Sequence, residues 1–310
     1  MQTLNFENMG MPAEEEKQIL SITAEKLVAG TVGLVSLPEI SIKINEMVDD
    51  PNCSAVQVGK VIEKDAALTA RLLKIVNSAF YRFPSRVETV SRAITIIGYR
   101  DLRDLVFAAT IAGIFERVSN DLVNLDNFWR HGIYSGILSR LIADKCGVLH
   151  SERLFVSGLM HDIGQLIICY KLPKLMRAAL NLSDNEGIPL YEAEQKILGF
   201  THADVGAELM KAWQFPQTQQ NVARFHHNPT AATDNVLEVT IVYLANIIAQ
   251  IAETGLIDTQ DLAKVDRKVW VMTQVSKADV ESLLVQAREQ FIEALALFRP
   301  KGRLGASNAA

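Results

Sequence analysis

The feature of this 310-residue sequence that most restricts its fold is an apolar stretch, residues 154–168, with one histidine–aspartate pair near its middle. Apolar residues flank His161 and Asp162 on both sides, which predicts that both side chains are carried into the interior. A buried imidazole beside a buried carboxylate costs several kcal/mol unless both are hydrogen-bonded or bound to a cation. Neighbouring residues on a helix point about 100° apart, so both can reach a ligand beside the helix. Taken alone, a structural pair bonded to nearby backbone is the more common arrangement.

Composition narrows the class of protein. Apolar residues make up 49% of the chain and charged residues 22%, as in an ordinary globular protein of about two domains. The formal net charge of −5 argues against a broad nucleic-acid-binding face. Three widely spaced cysteines form no CxxC motif, which fits a reducing cytoplasm. The longest apolar run, residues 236–252, is interrupted by polar residues, so no membrane segment is expected.

Apolar residues recur with helical spacing in every periodic segment, and none alternates over the length of a strand. The sequence therefore predicts an all-α protein, with Ser54, Asp65 and Thr201 as N-caps. The predicted organisation is a flexible start with an N-terminal helix (1–30), an N-terminal helical lobe (31–120), a second helical lobe (121–255), C-terminal helices (256–300) and a disordered tail (301–310).

A short junction at residues 98–100 could be taken for a helix-turn-helix. The charges around it have mixed sign, which is typical of a solvated helix face rather than of a phosphate-contacting one. These residues are Arg92, Arg100, Asp101, Arg103 and Asp104. DNA binding is therefore the weakest of the functional interpretations.

Five of the six histidines fall in helical segments of the second half of the chain: His131, His161, His202, His226 and His227. Each alone is interpreted as a satisfied core residue. Together with Asp162, however, they form a set of imidazoles and a carboxylate that suits iron, manganese, zinc or nickel. His202 lies in a first helical turn, where the helix dipole disfavours imidazolium and keeps the ring available for a metal.

The order of these residues resembles that of the HD superfamily of metal-dependent phosphohydrolases. Motifs in both halves of the chain resemble more closely the HDOD family, the HD-related output domain of bacterial signalling proteins. The motifs are Leu37-Pro38, Ile62-Glu-Lys-Asp65, Leu72-Leu-Lys-Ile-Val-Asn-Ser-Ala79, Ala93-Ile-Thr-Ile-Ile-Gly98, Trp129-Arg-His131, Gly158-Leu-Met-His-Asp-Ile-Gly164, Trp213 with Pro216, and His226-His-Asn-Pro229. The resemblance covers about residues 32–246.

The resemblance implies a helical N-terminal lobe packed against an HD-like lobe, with a C-terminal helical extension. It also implies metal ligands at His131, His161, Asp162, His202 and His226, with His227 and Asn246 as weaker candidates. Two positions depart from the catalytic relatives: Asn246 stands where a late ligand is an aspartate, and Gln165 stands where the cyclic-dinucleotide phosphodiesterases carry lysine. Gln165 is a candidate for contacting a substrate or for orienting a ligand.

These departures decide the ranking of functions. One divalent metal on imidazoles and Asp162 is feasible, whereas two would bring four positive charges to a single carboxylate. The first expectation is a cytoplasmic signalling protein that binds a protein partner or a nucleotide ligand and does not catalyse hydrolysis. The alternative is a metal-dependent phosphohydrolase or phosphodiesterase that acts on nucleotides or cyclic dinucleotides. A DNA-binding regulator ranks third.

Overall fold

In a computed structural model the protein is described over residues 22–31, 37–78, 81, 83, 85–115, 121–254 and 259–298. All regular elements in these ranges are helices, and no β-strand occurs among them, which confirms the predicted all-α class. The predicted flexible start and the predicted tail at 301–310 lie outside the described residues.

The N-terminal lobe is built from short amphipathic helices. Ser54 forms a capping box with Gln57, and Asp65 accepts a hydrogen bond of 2.9 Å from the amide of Leu68, so both predicted N-caps are confirmed. Gly98 has a φ of 86°, which favours glycine at this junction. The helices are α1 (Ala24–Ala29), α2 (Glu39–Asp49), α3 (Ala55–Ile62), α4 (Ala66–Val76), α5 (Val90–Ile97) and α6 (Tyr99–Phe115).

The second half of the chain forms a second helical lobe, called the HD-like lobe after the resemblance described above, and three further helices. The lobe consists of α7 (Leu125–Lys145), α8 (Glu152–Met160), α9 (Ile163–Lys171), α10 (Pro173–Glu186), α11 (Leu190–Leu198), α12 (His202–Ala212), α13 (Gln217–Phe225), a 3₁₀ turn (Pro229–Ala231) and α14 (Val236–Thr254). The remaining helices are α15 (Thr259–Lys264), α16 (Arg267–Thr273) and α17 (Asp279–Phe298). Thr201 caps α12 as predicted, through a capping box with Asp204.

Helix α7 is the centre of the HD-like lobe and packs against α8, α14 and α17. Glycines bring α7 and α8 together, since a Cβ added to Gly136 would lie only 2.7 Å from the carbonyl oxygen of Phe155. Gly158 is equally confined, because its Cβ would lie 2.7 Å from the carbonyl oxygen of Ser135. This close approach brings the segment that carries His131 next to the end of α8, where His161 lies.

Helix α14 is the one helix in the described residues that is long and apolar enough to cross a membrane. Its most apolar window, Val236–Glu253, has a mean hydropathy of 1.5. More than half of that window, 56%, is buried inside the protein, where α14 packs against α7, α8, α13 and α16. These are the contacts of a core helix.

Helix α17 joins the two lobes. The Arg71 guanidinium donates from Nε to the carbonyl oxygen of Leu297 at 2.8 Å and from Nη1 to that of Ala109 at 2.6 Å. At the other lobe, the rings of Tyr134 and Phe291 stack with centroids 4.0 Å apart. The C-terminal helical segment therefore extends the chain beyond the two lobes and also forms part of the core that they share.

The prediction that the charged residues after residue 98 form a solvated face is wrong for three of them. Asp101, Arg103 and Asp104 are buried, whereas Arg92 and Arg100 are exposed. These residues are buried by tertiary packing, because α6 is enclosed by α2, α4, α8 and α17. Within this enclosure Arg103 and Asp104 form an ion pair of 3.0 Å.

Candidate metal centre

The histidines of the HD-like lobe stand at helix ends and meet at one place. His161 and Asp162 occupy the junction of α8 and α9, so the chain turns between two helices where the pair lies. His202 is the first residue of α12, and His226 directly follows α13. His131 lies within α7.

Asp162 is the centre of the cluster. Its Oδ1 lies 3.2 Å from Nε2 of His202 and 3.2 Å from Nε2 of His226. Its Oδ2 lies 3.2 Å from Nε2 of His161 and 3.7 Å from Nε2 of His131. One carboxylate therefore faces four imidazoles through the same ring nitrogen of each.

Two of these imidazoles are fixed in one tautomer by backbone carbonyls. His161 donates from Nδ1 to the carbonyl oxygen of Gly158 at 2.7 Å, and His226 donates from Nδ1 to that of Ala223 at 2.7 Å. A neutral imidazole that donates from Nδ1 carries its lone pair on Nε2, the atom that here faces the cluster. Both Nε2 atoms are buried and have no hydrogen-bond partner within the described chain.

Two glutamates hold the outer nitrogens of the other imidazoles. Glu194, which is fully buried on α11, accepts from Nδ1 of His202 at 2.7 Å and from its backbone amide at 2.8 Å. Glu253, near the end of α14, lies 3.2 Å from Nδ1 of His131. Carboxylates on the outer nitrogen orient histidine ligands and raise their basicity. Neither glutamate was singled out from the sequence.

His227 completes a second group of ligand atoms. Its Nε2 lies 2.8 Å from Nε2 of His202, and its ring stacks on Tyr191 with centroids 4.3 Å apart. The structure thus contains two groups, each with ligand atoms within 4.8 Å of one another, that share Asp162. One group adds His202, His226 and His227 to Asp162, and the other adds His131 and His161.

Burial and charge set the protonation of the cluster. Burial raises the pKa of Asp162, but the close imidazoles of His161, His202 and His226 outweigh it and hold that pKa well below its usual range. Burial lowers the pKa of His202, yet Glu194 and Asp162 raise it to about 10. Burial dominates at His226, where the pKa falls to about 4, and it lowers the pKa of His227 strongly. The His202 imidazolium therefore lies beside the neutral rings of His226 and His227, and a metal ion would take the place of its proton.

Asn246 and Gln165, where the resemblance implies departures from catalytic relatives, lie on α14 and in the first turn of α9. Asn246 is buried, its Oδ1 has no hydrogen-bond partner in the described residues, and its side chain faces His131. Gln165 is half-buried in the first turn of α9, where its backbone amide donates to the carbonyl oxygen of Asp162 at 2.8 Å. The structure thus brings all six predicted His and Asp candidates together, with Asn246 beside them.

Gly164 allows α9 to approach α12, and so places Asp162 within reach of His202. A Cβ at this position would overlap the carbonyl oxygen of His202 and would lie 2.5 Å from the amide nitrogen of Gly206. Both obstacles are backbone atoms, which cannot rotate away as a side chain can. The geometry of the cluster therefore depends on a glycine that is not itself a ligand.

Comparison with known proteins agrees with this architecture. The sequence profile of the HDOD domain matches residues 34–229, which is more than half of the chain. The chain belongs to the HDOD family. Among solved structures, this HDOD chain is similar to an HDOD domain protein of Geobacter sulfurreducens, at 22% identity and a TM-score of 0.66, with 88% of this chain and 96% of that one covered. A phosphohydrolase-like protein of Shewanella amazonensis SB2B gives 22% identity and a TM-score of 0.66, with 90% and 98% covered.

A curated relative of the HDOD chain is an uncharacterized protein of Treponema pallidum (strain Nichols). The two are 25% identical over 213 residues, which make up 68% of this chain and 41% of the relative. The HDOD chain therefore spans less than half the length of that protein. The similarity to the two solved structures, at 22% identity, establishes the shared fold.

Proposed function

We propose that this HDOD chain is a cytoplasmic regulatory protein whose His–Asp cluster binds at least one divalent metal ion, and that it acts by binding a protein partner or a nucleotide ligand rather than by hydrolysis. One observation supports the proposal of a bound metal ion. The buried Nε2 atoms of His161 and His226 face Asp162 and have no hydrogen-bond partner in the described chain. Leaving a buried polar atom unsatisfied costs about 1–3 kcal/mol. A cation at this place would remove that cost from both rings.

The donor atoms suit a transition metal. Neutral imidazoles with one carboxylate favour iron, manganese, zinc or nickel over magnesium or calcium, which prefer oxygen. The group of Asp162, His202, His226 and His227 offers four ligand atoms, enough for one ion. With Glu194 and Glu253 on the outer nitrogens, three carboxylates balance one divalent ion fully and two ions only in part.

Hydrolysis is the second candidate, favoured by the access of solvent to the cluster. The side chains of Asp162 and His131 are 21% and 16% exposed, so a small substrate could reach them. Against hydrolysis stand Gln165 and Asn246, which offer neither a positive charge for a leaving oxygen nor a further anionic ligand. The regulatory function is therefore the proposal.

We expect the protein, purified and supplied with manganese, iron, zinc or nickel, not to turn over cyclic dinucleotides or simple phosphate esters. The reason is that Gln165 supplies no positive charge for the negative charge that develops on the leaving oxygen, and Asn246 supplies no anionic ligand for a second metal ion. Product formation is measured by chromatography. Metal-dependent turnover at about 1 s⁻¹, the low end for typical enzymes, that is lost in His161→Ala would contradict the regulatory proposal and favour the second candidate.

We expect Asn246→Asp to tighten metal binding by at least about tenfold, equivalent to about 1.4 kcal/mol. The substitution hardly changes the volume and replaces a buried amide oxygen, which has no partner in the described residues, with an anionic ligand beside His131. Without metal, the added carboxylate lies near Asp162 in a buried place and should weaken the fold. Thermal melting with chelator and with added manganese or zinc measures both effects. If the variant and the wild type respond identically, Asn246 does not face a metal.

A further inference from the structure

Apart from the candidate metal centre, a polar cavity lies where α6 of the N-terminal lobe meets α8, α13 and α14 of the HD-like lobe. Its volume is about 320 Å³, at the lower end of the roughly 300–1,000 Å³ of small-molecule sites. None of the metal-ligand candidates lines it. The lining residues that matter are Arg100, Arg103, Asp104, Arg153, Gln219 and Glu238.

The floor of the cavity is a buried polar network. Nε and Nη2 of Arg103 both lie 3.0 Å from Oδ1 of Asp104, and Nε2 of Gln219 donates to Oδ2 of Asp104 at 2.9 Å. All three residues are at most 4% exposed. Asp104 is thus paired on both oxygens, and the network ties α6 to α13.

This network leaves one donor group and one acceptor unused. Nη1 of Arg103 has no hydrogen-bond partner in the described chain, and Oε1 of Gln219 is buried without one. An unsatisfied buried amide oxygen is costly, so it calls for a ligand that donates a hydrogen bond. A free guanidinium nitrogen calls for a ligand that accepts one.

The charged residues around the floor also include both donors and acceptors. Arg100 and Arg153 come from α6 and α8. Arg100 makes no ion pair with a described residue, whereas Nε of Arg153 lies 3.8 Å from Oδ1 of Asp101. Glu238 comes from the first turn of α14 and is likewise without an ion pair in the described part of the chain. Cationic groups thus come from α6 and α8, whereas the free acceptors come from α13 and α14.

We propose that this cavity binds a small zwitterion of the α-amino acid class. Arg100 and Arg103 bind its carboxylate, and Glu238 and Oε1 of Gln219 bind its ammonium group. A simple anion would leave Glu238 and Gln219 without a donor. A simple cation would leave Arg100 without an anion, since Arg103 is already paired with Asp104. Only a ligand that carries both charges satisfies both sides. Because it would bridge α6 and α14, such a ligand would strengthen the contact between the two lobes.

The test is isothermal titration calorimetry of the full chain with each proteinogenic amino acid. We expect at least one to bind, and we expect its N-acetyl and carboxamide derivatives, which each lack one charge, to bind at least about tenfold more weakly. Arg100→Gln and Glu238→Gln should each weaken binding by at least about tenfold. Both replace side chains that are not fully buried, so the variants should fold. Arg92→Gln, an exposed arginine on α5, is the matched control and should bind as the wild type does.

Three outcomes would overturn the proposal. The first is that no amino acid binds. The second is that an N-acetyl derivative binds as tightly as its parent, which would mark a simple anion site. The third is that Arg100→Gln or Glu238→Gln, shown by circular dichroism to be folded, binds like the wild type.

Discussion

Gly164→Ala should destabilise the protein by at least about 3 kcal/mol, the upper range for overpacking a core. The added methyl group would overlap the carbonyl oxygen of His202 and the backbone of Gly206. Since neither obstacle is a side chain, α9 and α12 would have to separate, and this would carry Asp162 away from His202. Chemical denaturation followed by circular dichroism measures the change in the free energy of unfolding.

Gly206→Ala is the matched control on the facing helix. A Cβ at Gly206 would lie 3.5 Å from the amide nitrogen of Gly164 and 3.7 Å from Cβ of Ala223, which are ordinary contacts. Alanine is favoured over glycine inside a helix by about 1 kcal/mol, so this variant should be as stable as the wild type or more so. Equal losses of stability in the two variants would contradict the close approach of α9 and α12.

Asp162→Asn should weaken metal binding by at least about a hundredfold, equivalent to about 2.7 kcal/mol. Asp162 is the one carboxylate that both groups of ligand atoms share. The amide keeps the shape but removes the charge, and one of its two ends can only donate. Calorimetric titration of chelator-treated protein with manganese or zinc measures the affinity.

The melting temperature gives a second measure of the same change. Wild-type protein should melt lower with chelator than with metal, because a ligand stabilises the state that binds it. Asp162→Asn should melt at the same temperature in both. Asp184→Asn, an exposed aspartate on α10, is the control and should behave as the wild type. A chelator effect that persists in Asp162→Asn would place the metal elsewhere.

Much of the fold could be predicted because its causes are local. Helical periodicity depends on which residues face the core, and N-caps such as Ser54, Asp65 and Thr201 bond only three residues along the chain. The resemblance to the HDOD family likewise depends on linear motifs. These features need no knowledge of how distant helices meet.

The sequence pattern indicated the two glutamates of the candidate metal centre, Glu194 and Glu253, less clearly than it indicated the histidines. Glu194 shares a helical stripe with Leu190 and Ile197, so an acidic residue on an apolar face was visible in the sequence. Glu253 follows Asn246 by seven residues, two helical turns, and therefore shares its face. Which histidine each would contact depends on how α7, α11, α12 and α14 pack, and the linear spacing does not contain that information.

The charged residues of α6 were misjudged for the same reason. Mixed charges at Asp101, Arg103 and Asp104 suggest a solvated face when only the sequence is considered. In the fold, Arg103 pairs with one oxygen of Asp104, and Gln219, which is 115 residues away in the other lobe, donates to the second oxygen. Such long-range compensation is set by tertiary packing.

The most direct test of the proposed metal centre is the metal content of the protein, measured by inductively coupled plasma mass spectrometry. The protein is purified without chelators or metal-affinity resins and is also reconstituted with manganese, iron, zinc and nickel. We expect at least about one transition-metal ion per chain in the wild type and a large loss in Asp162→Asn. A wild type that holds no more metal than Asp162→Asn, before and after reconstitution, would contradict a metal centre and leave the histidines as core residues of a binding protein.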